Sequence, residues 1–215
     1  MKVIQEYFAF LAARYPDVLA RMGEHLSIVA QAMVFGCLTA ITIGIILTRF
    51  KEGPVNHLVF GIVNIFQTIP TVALLAMFIP LFGIGVTPAI IALYLYSLLP
   101  LLRNTYSGIK EVDKSVVEAA RGMGYSSFQS LWKIELPLAF PYILSGIRLT
   151  AVYIVSWTTL AALIGAGGLG DMIIAGMSNN DNFLIFTGTI SAIVLALLID
   201  LILGIFSKRR NQLDL

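Results

Sequence analysis

Five blocks of apolar residues, each close to the roughly 20 residues that a helix needs to cross the hydrocarbon core of a bilayer, constrain this chain more than any other feature. They cover residues 26–47, 55–79, 87–102, 141–164 and 183–206. With no water available inside a membrane, backbone N–H and C=O groups must pair within their own segment, so blocks of this length fold as helices. The third block is the shortest, and it either extends through Arg103 to nearer spanning length or tilts less than the others. Hydrophobic residues make up 58% of the chain and charged residues 12%, with a mean hydropathy of +0.89. That balance excludes an ordinary soluble domain and predicts an all-α, polytopic membrane protein with five transmembrane helices. The first block is too long for a signal-peptide core and is expected to be a retained span. The single cysteine, Cys37, lies inside that block, which leaves no disulfide framework and suits a packing residue.

Basic residues set the expected orientation. Arg49 and Lys51 follow the first block, Arg103, Lys110, Lys114, Arg121 and Lys133 lie between the third and fourth, and Lys208, Arg209 and Arg210 follow the fifth. The connections 80–86 and 165–182 carry none. By the positive-inside rule the long loop and the C-terminus are cytoplasmic and the N-terminus is outside. Residues 1–24 interleave Lys2, Arg14, Arg21, Glu6, Asp17 and Glu24 with Ile4, Tyr7, Phe8, Phe10 and Leu11. This pattern fits a helix in the membrane interface, or a packed leader helix. The net charge of +2 and the scattered basic residues argue against a nucleic-acid surface.

The loop at about 104–140 is the one extended charged stretch between spans, and at 118–137 it reads EAARGMGYSSFQSLWKIELP. Two capping boxes are expected, Ser115 with Glu118 and Ser126 with Gln129, each opening a short helix. Gly124 between them suits a left-handed cap, and Pro137 is expected to end the second helix by withholding its amide hydrogen. Phe128, Leu131 and Trp132 form an apolar stripe at helical spacing, fit to pack on the chain itself or in a partner's groove.

This spacing of Glu118, Ala119, Ala120, Gly124, Ile134, Leu136 and Pro137 resembles the EAA loop of importer-type ATP-binding-cassette permeases. The resemblance covers about residues 25–206 and implies the type I importer permease fold, with residues 1–24 as a separate interfacial segment and 207–215 as a cytoplasmic tail. It implies that the loop forms coupling helices that meet an ATPase subunit, with Tyr125 and Phe128 among the contacts. The segments QTIPTVALLAMFIPLFGIG, LPLLRNTYSGI and LIGAGGLGDMIIAG are similar to permeases of quaternary-ammonium osmoprotectant importers, for glycine betaine, carnitine or choline. That family implies two permease chains, identical or related, two cytoplasmic ATPases and an external substrate-binding protein in a bacterial cell membrane. ATP and magnesium belong to the ATPases, and no cofactor is expected on this chain.

Several polar residues fall inside spans. Gln67, Thr68, Pro70 and Thr71 interrupt the second, where Pro70 is expected to kink the helix. Tyr94, Tyr96 and Ser97 lie in the third, and Ser156, Trp157, Thr158 and Thr159 in the fourth. Such groups either line a translocation path or hydrogen-bond between helices, and alternate positions cannot all face one path. Tyr94, Tyr96 and Trp157 are candidates for cation–π contact with a quaternary ammonium group. Arg148 and Asp200, both about two turns from the cytoplasmic ends of their helices, are expected to lie close and to pair, the alternative being that Arg148 snorkels to the headgroups.

The glycine run GAGGLGDMI at 165–173 lacks the lysine and hydroxyl of a phosphate loop and follows a membrane helix, so a tight external turn is the expected role. It resembles the external segment near the receptor-facing gate of osmoprotectant and methionine permeases. An intramembrane hydrolase is disfavoured, because the chain offers only His25 and His57, both near span ends, no nucleophile elbow, and one in-span carboxylate, Asp200. A channel or secondary transporter is disfavoured by the lack of an internal repeat and by the docking loop.

Overall fold

In a computed structural model that describes residues 2–211, the chain opens with helix α1 (Lys2–Thr48), 47 residues long and continuous through Pro16. The expected interfacial segment 1–24 is therefore not a separate helix. Its rings hold it against the rest of the fold: Tyr7 and Phe10 lie 5.6 and 5.8 Å from Phe183, and Val18 and Met22 pack on the core. Residues 212–215 of the expected tail lie outside the described residues.

The second apolar block is broken rather than kinked. Helix α2 (Pro54–Thr68) is followed by α3 (Thr71–Met77) and α4 (Ile79–Phe82), and the two halves meet at 98°. The cause is local: the ring of Pro70 crowds the backbone before it, and Ile69 takes an extended conformation with ψ 130°. Helix α5 (Val86–Lys110) is longer at both ends than the third apolar block and passes through Arg103 as expected.

After α5 come α6 (Lys114–Gly122) and α7 (Ser127–Ser130), a π-helical turn (Leu131–Glu135) and α8 (Leu136–Ala161). A 3-10 turn (Ala162–Ile164) leads to α9 (Leu169–Asn179) and α10 (Asn182–Asn211). Residues 127–164 form one helical run, so the fourth span continues directly from the loop, and Pro137 does not close a helix. Pro137 falls in the first turn of α8, and the wider π turn before it, in which the Leu136 amide bonds back to Leu131, removes the carbonyl clash a proline imposes on a regular helix. Among the described residues, α1, α5, the 127–164 run and α10 are each long and apolar enough to cross a membrane, and the bent pair α2 with α3–α4 makes a fifth where the two are counted as one broken span.

Small residues hold the helices together. A Cβ on Gly36 would lie 2.0 Å from Ser97 Oγ, and one on Gly44 would lie 2.9 Å from Thr105 Cβ, so α1 approaches α5 along Gly36, Ala40 and Gly44. A Cβ on Gly146 would lie 2.5 Å from Asn104 Cβ, so α8 approaches α5 as closely there. In a membrane, where lipid is as apolar as leucine, such close approach is the main source of helix association. The shared core includes Ile28, Leu74, Leu75, Leu93, Ile154 and Leu169, none more than 2% exposed. By contrast, Ile190, Ile193, Leu197, Leu201 and Ile205 give α10 an exposed, wholly apolar face that suits lipid.

Candidate functional site

Helix α6 opens at Asp113, whose Oδ1 accepts the Ser115 amide at 2.8 Å. This corrects the expected Ser115–Glu118 box. An aspartate two residues earlier is as good a cap and places its charge at the positive end of the helix. The Ser115 amide in turn holds the Asp113 carboxyl below the usual carboxylate range. Glu118 is exposed in mid-helix, facing a cleft of about 290 Å³ that it shares with Arg49, Lys114 and Arg121.

The helix ends as its sequence suggests. The amides of Tyr125 and Gly124 bond to the carbonyls of Ala120 and Arg121 at 3.1 and 2.9 Å, and Gly124 has φ +88°. This is a Schellman closure, which needs a left-handed residue at that position. Helix α7 carries the expected capping box in full: the Gln129 amide donates to Ser126 Oγ, and the Ser126 amide donates to Gln129 Oε1.

These two stops fix what the loop presents. Phe128 and Trp132 project outward, 71% and 55% exposed, with ring centroids 6.1 Å apart, and Met123 stands exposed beside the turn. Leu131, the third member of the expected stripe, points inward and is buried. Ala120 is also buried, whereas Ala119 is exposed. Tyr125 is half-buried beneath the Lys133 ammonium, 5.7 Å from its ring. Ile134 and Leu136 are half-buried and Pro137 is exposed.

The loop is anchored by a residue that its motif does not include. Glu135, in the π turn, is buried and takes two hydrogen bonds from the Arg49 guanidinium, one of them 3.2 Å from Nη1 to Oε1 and the other from Nη2 to Oε2. Ser130 Oγ adds a third at 3.3 Å. Asp200 is thus not the one carboxylate withdrawn from water, and Glu135 is the more deeply buried of the two. Sequence reasoning missed Glu135; a charged residue directly before a Leu-Pro that begins a span is the signal that could have pointed to it.

At the break in the second span, the carbonyl of Ile69 accepts the Tyr96 hydroxyl, and Gln67 Nε2 donates to the Tyr96 carbonyl. The Tyr96 ring in turn lies 4.8 Å from Trp157, which stacks at 5.7 Å on Tyr153. Gln67, Pro70, Tyr96 and Trp157 therefore converge, joined by Tyr153, which sequence reasoning missed. Thr71 begins α3 just after the break. The other candidates turn elsewhere: Tyr94 donates to Thr39 on α1 at 3.3 Å, Thr68 bonds back to Ile65, and Ser97 packs against Gly36. Thr158 is buried and bonded to Ile154, and Thr159 is bonded to Ser156. Ser156 is exposed, as are Ser145 and Tyr153 on the same helix, so α8 shows a mixed polar and aromatic face where the exposed residues between 186 and 206 on α10 are apolar.

Arg148 and Asp200 pair as expected, with Nε to Oδ1 at 2.5 Å and Nη2 to Oδ2 at 2.6 Å. A Cβ on Gly204 would lie 3.1 Å from the guanidinium carbon, so the glycine leaves room for the fork. Reversing either charge alone, Arg148→Asp or Asp200→Arg, is expected to lower the yield of folded protein. The double reversal is expected to recover at least half of that loss, as read by size-exclusion chromatography in detergent; no recovery would mean that the pair does not act as a unit.

The glycine run is capped from the far side of the fold. Glu24 Oε2 accepts the Gly168 amide at 3.0 Å, and His25 Nδ1 accepts the Leu169 amide at 3.3 Å. His25 Nε2, which carries the ring proton, donates to the Val155 carbonyl at 3.0 Å. Arg21 bridges Glu24 and Asp171 at 3.1 and 2.9 Å. The first amides of α9 are thus occupied by side chains of α1, and the run is a structural turn.

Together these features define a polytopic helical membrane protein with a capped helical loop that exposes two aromatic rings and a polar, aromatic seam inside. The sequence matches, over residues 40–212, the family described as binding-protein-dependent transport system inner membrane component. It is 42% identical over 206 residues to the glycine betaine/carnitine/choline transport system permease protein OpuCB of Bacillus subtilis, covering 96% of this chain and 94% of that one. It is 44% identical over 188 residues to the carnitine transport permease protein OpuCB of Listeria monocytogenes, covering 87% and 85%. Among solved structures, it is similar to an inward-facing MetNI methionine ABC transporter chain, with TM-score 0.81, 25% identity and coverage of 90% and 96%. The fold is shared with an amino acid ABC transporter at TM-score 0.79 and 18% identity, covering 94% and 98%.

This chain belongs to the binding-protein-dependent transport system inner membrane components: it is the permease subunit of an ABC importer, a multi-pass protein of the cytoplasmic membrane. Permeases of this family work with an ATPase and a binding protein.

Proposed function

We propose that this permease passes a quaternary-ammonium osmoprotectant, glycine betaine, carnitine or choline, across the membrane by alternating access. The substrate class rests on the identity of 42% over nearly the whole chain to a permease named for those three solutes. Two ATPase subunits dock on α6 and α7 of a pair of permease chains, an external receptor delivers the solute, and ATP and magnesium stay on the ATPases, with no catalytic role for this chain. The N-terminus is outside and the loop and C-terminus are inside, in keeping with the basic residues near α6.

The observation that carries the coupling role is the outward pair Phe128 and Trp132 on a helical run that follows a Schellman turn and opens with a full capping box. Exposed aromatics on a rigid helix suit a groove on a partner. The seam of Gln67, Pro70, Thr71, Tyr96 and Trp157, extended by Tyr153, lines the path, and Tyr94 and Thr68, which bond to Thr39 and Ile65, stand apart from it. Closure of the ATPase dimer moves the docking helices, and their different contacts in the two ATPase states shift the spans between inward- and outward-open forms.

The resemblance in fold to methionine and amino acid transporters makes an amino acid the second candidate solute. The test is uptake into proteoliposomes holding the full complex. Labelled choline, carnitine or glycine betaine is expected to enter and methionine is not; selective methionine uptake would reassign the substrate.

A further inference from the structure

The deepest charge on the loop does not face the partner. Glu135 points back into the protein, its side chain 8% exposed, at the point where the docking helix becomes span α8. Its partner Arg49 directly follows the last residue of α1, and the guanidinium is held on a third side by Thr48 Oγ1 at 3.0 Å. Thr48 in turn donates to the Ile45 carbonyl at 2.6 Å, so the fork is fixed to the helix end rather than hanging from a flexible stem. A planar guanidinium on a planar carboxylate fixes direction as well as distance.

What Arg49 is fixed to matters. Helix α1 is continuous, and Glu24 and His25 at its midpoint hold the glycine turn through Gly168 and Leu169. From Glu24 to Thr48 a helix rises about 36 Å. The π turn gives this junction a helical geometry found mostly where a helix is adapted to function, and it places the carboxylate toward α1.

We propose that Glu135 and Arg49 are positioning residues that carry movement of the docking loop into α1, and thereby set how much solute is moved for each ATP hydrolysed. This rests on the reading of the chain as an ATP-driven permease. The pair acts as a two-pronged joint: the loop side moves with the ATPase, and α1 relays the displacement to the turn at residues 165–168. Loss of the joint leaves the outward docking surface in place, because neither Phe128 nor Trp132 contributes to it.

The experiment uses the full complex of permease, ATPase and receptor in proteoliposomes, with ATP hydrolysis and solute uptake measured on the same sample. Glu135→Gln keeps the shape and removes the charge, and Arg49→Lys keeps the charge and removes the fork. Each is expected to retain the ATPase on co-purification while raising ATP consumed per solute moved by about 10-fold. The Glu135→Gln, Arg49→Gln double variant is expected to be no worse than either neutral single variant, because the two act as one unit. If Glu135→Gln fails to reach the membrane, Arg49→Lys carries the same readout. A stoichiometry equal to the parent's in the variant that assembles, additive losses in the double variant, or a loss fully explained by missing ATPase would each overturn the proposal. Absence of ATP-driven uptake by the parent complex would instead overturn the functional reading beneath it.

Discussion

Replacing Phe128 and Trp132 together by alanine is expected to weaken binding of the ATPase subunit by about 100- to 1,000-fold. The two rings are 71% and 55% exposed and touch each other rather than the core, so their removal opens no cavity in the permease itself. Aromatic side chains buried at the centre of an interface typically contribute about 2 kcal/mol each, and each 1.4 kcal/mol is a factor of about ten. Leu131→Ala is the contrasting change: its side chain is buried, so it is expected to lower the stability of the permease and to act on docking only indirectly. Titration of nanodisc-embedded permease with purified ATPase measures both. An unchanged affinity in the double variant would remove the outward face of α7 from the docking surface.

Gly124→Val is expected to reduce coupled transport at least 10-fold while leaving solute binding by the receptor intact. Nothing lies within 4 Å of a Cβ built on Gly124, so the substitution meets no steric obstacle. The effect comes from φ +88°, which a non-glycine residue holds at a cost of about 1 to 3 kcal/mol, the upper end applying to a β-branched one. The turn relieves that strain by giving up the Schellman bonds, and α7 then loses its fixed angle to α6. Gly124→Asn is the control, since asparagine tolerates the left-handed region, and it is expected to transport nearly as well as the parent. Equal transport by the valine and asparagine variants would mean that the turn's geometry does not matter to coupling.

How far the chain could be read in advance divides along physical lines. Features set by neighbours in sequence came through: the spans, the Ser126–Gln129 box and the left-handed Gly124 each depend on a few adjacent residues. Arg148 and Asp200 were legible despite lying 52 residues apart, because a charge inside a span has few ways to be satisfied. Pro137 misled because a proline read alone ends a helix, whereas the π turn before it lets the helix pass. Asp113 was available as a cap and was passed over for a motif match at Ser115. The break at Pro70 was read as a kink because the support of the freed carbonyl by Tyr96 depends on how α5 packs.

The contacts that sequence reasoning could not reach are those that tie α1 to distant parts of the chain. Arg49 meets Glu135 across 86 positions, and Glu24 and His25 meet Gly168 and Leu169 across 144. Local pattern carries no record of such pairings, which depend on how α1 packs beside the segments that open α8 and α9. Of the aromatic seam, Tyr96 and Trp157 were legible as in-span polar aromatics. Tyr153 was not, because an aromatic in a membrane helix is by itself a packing residue.

The central claim is that this chain moves solute only when a docked ATPase drives the loop formed by α6 and α7. Solute uptake should therefore be followed in proteoliposomes with and without the ATPase and magnesium ATP, using the parent and the Phe128→Ala, Trp132→Ala variant. The account predicts uptake against a gradient by the parent complex alone, and none by the variant or by the permease without its ATPase. Solute-specific uptake by the isolated permease, unaffected by ATP, would contradict it.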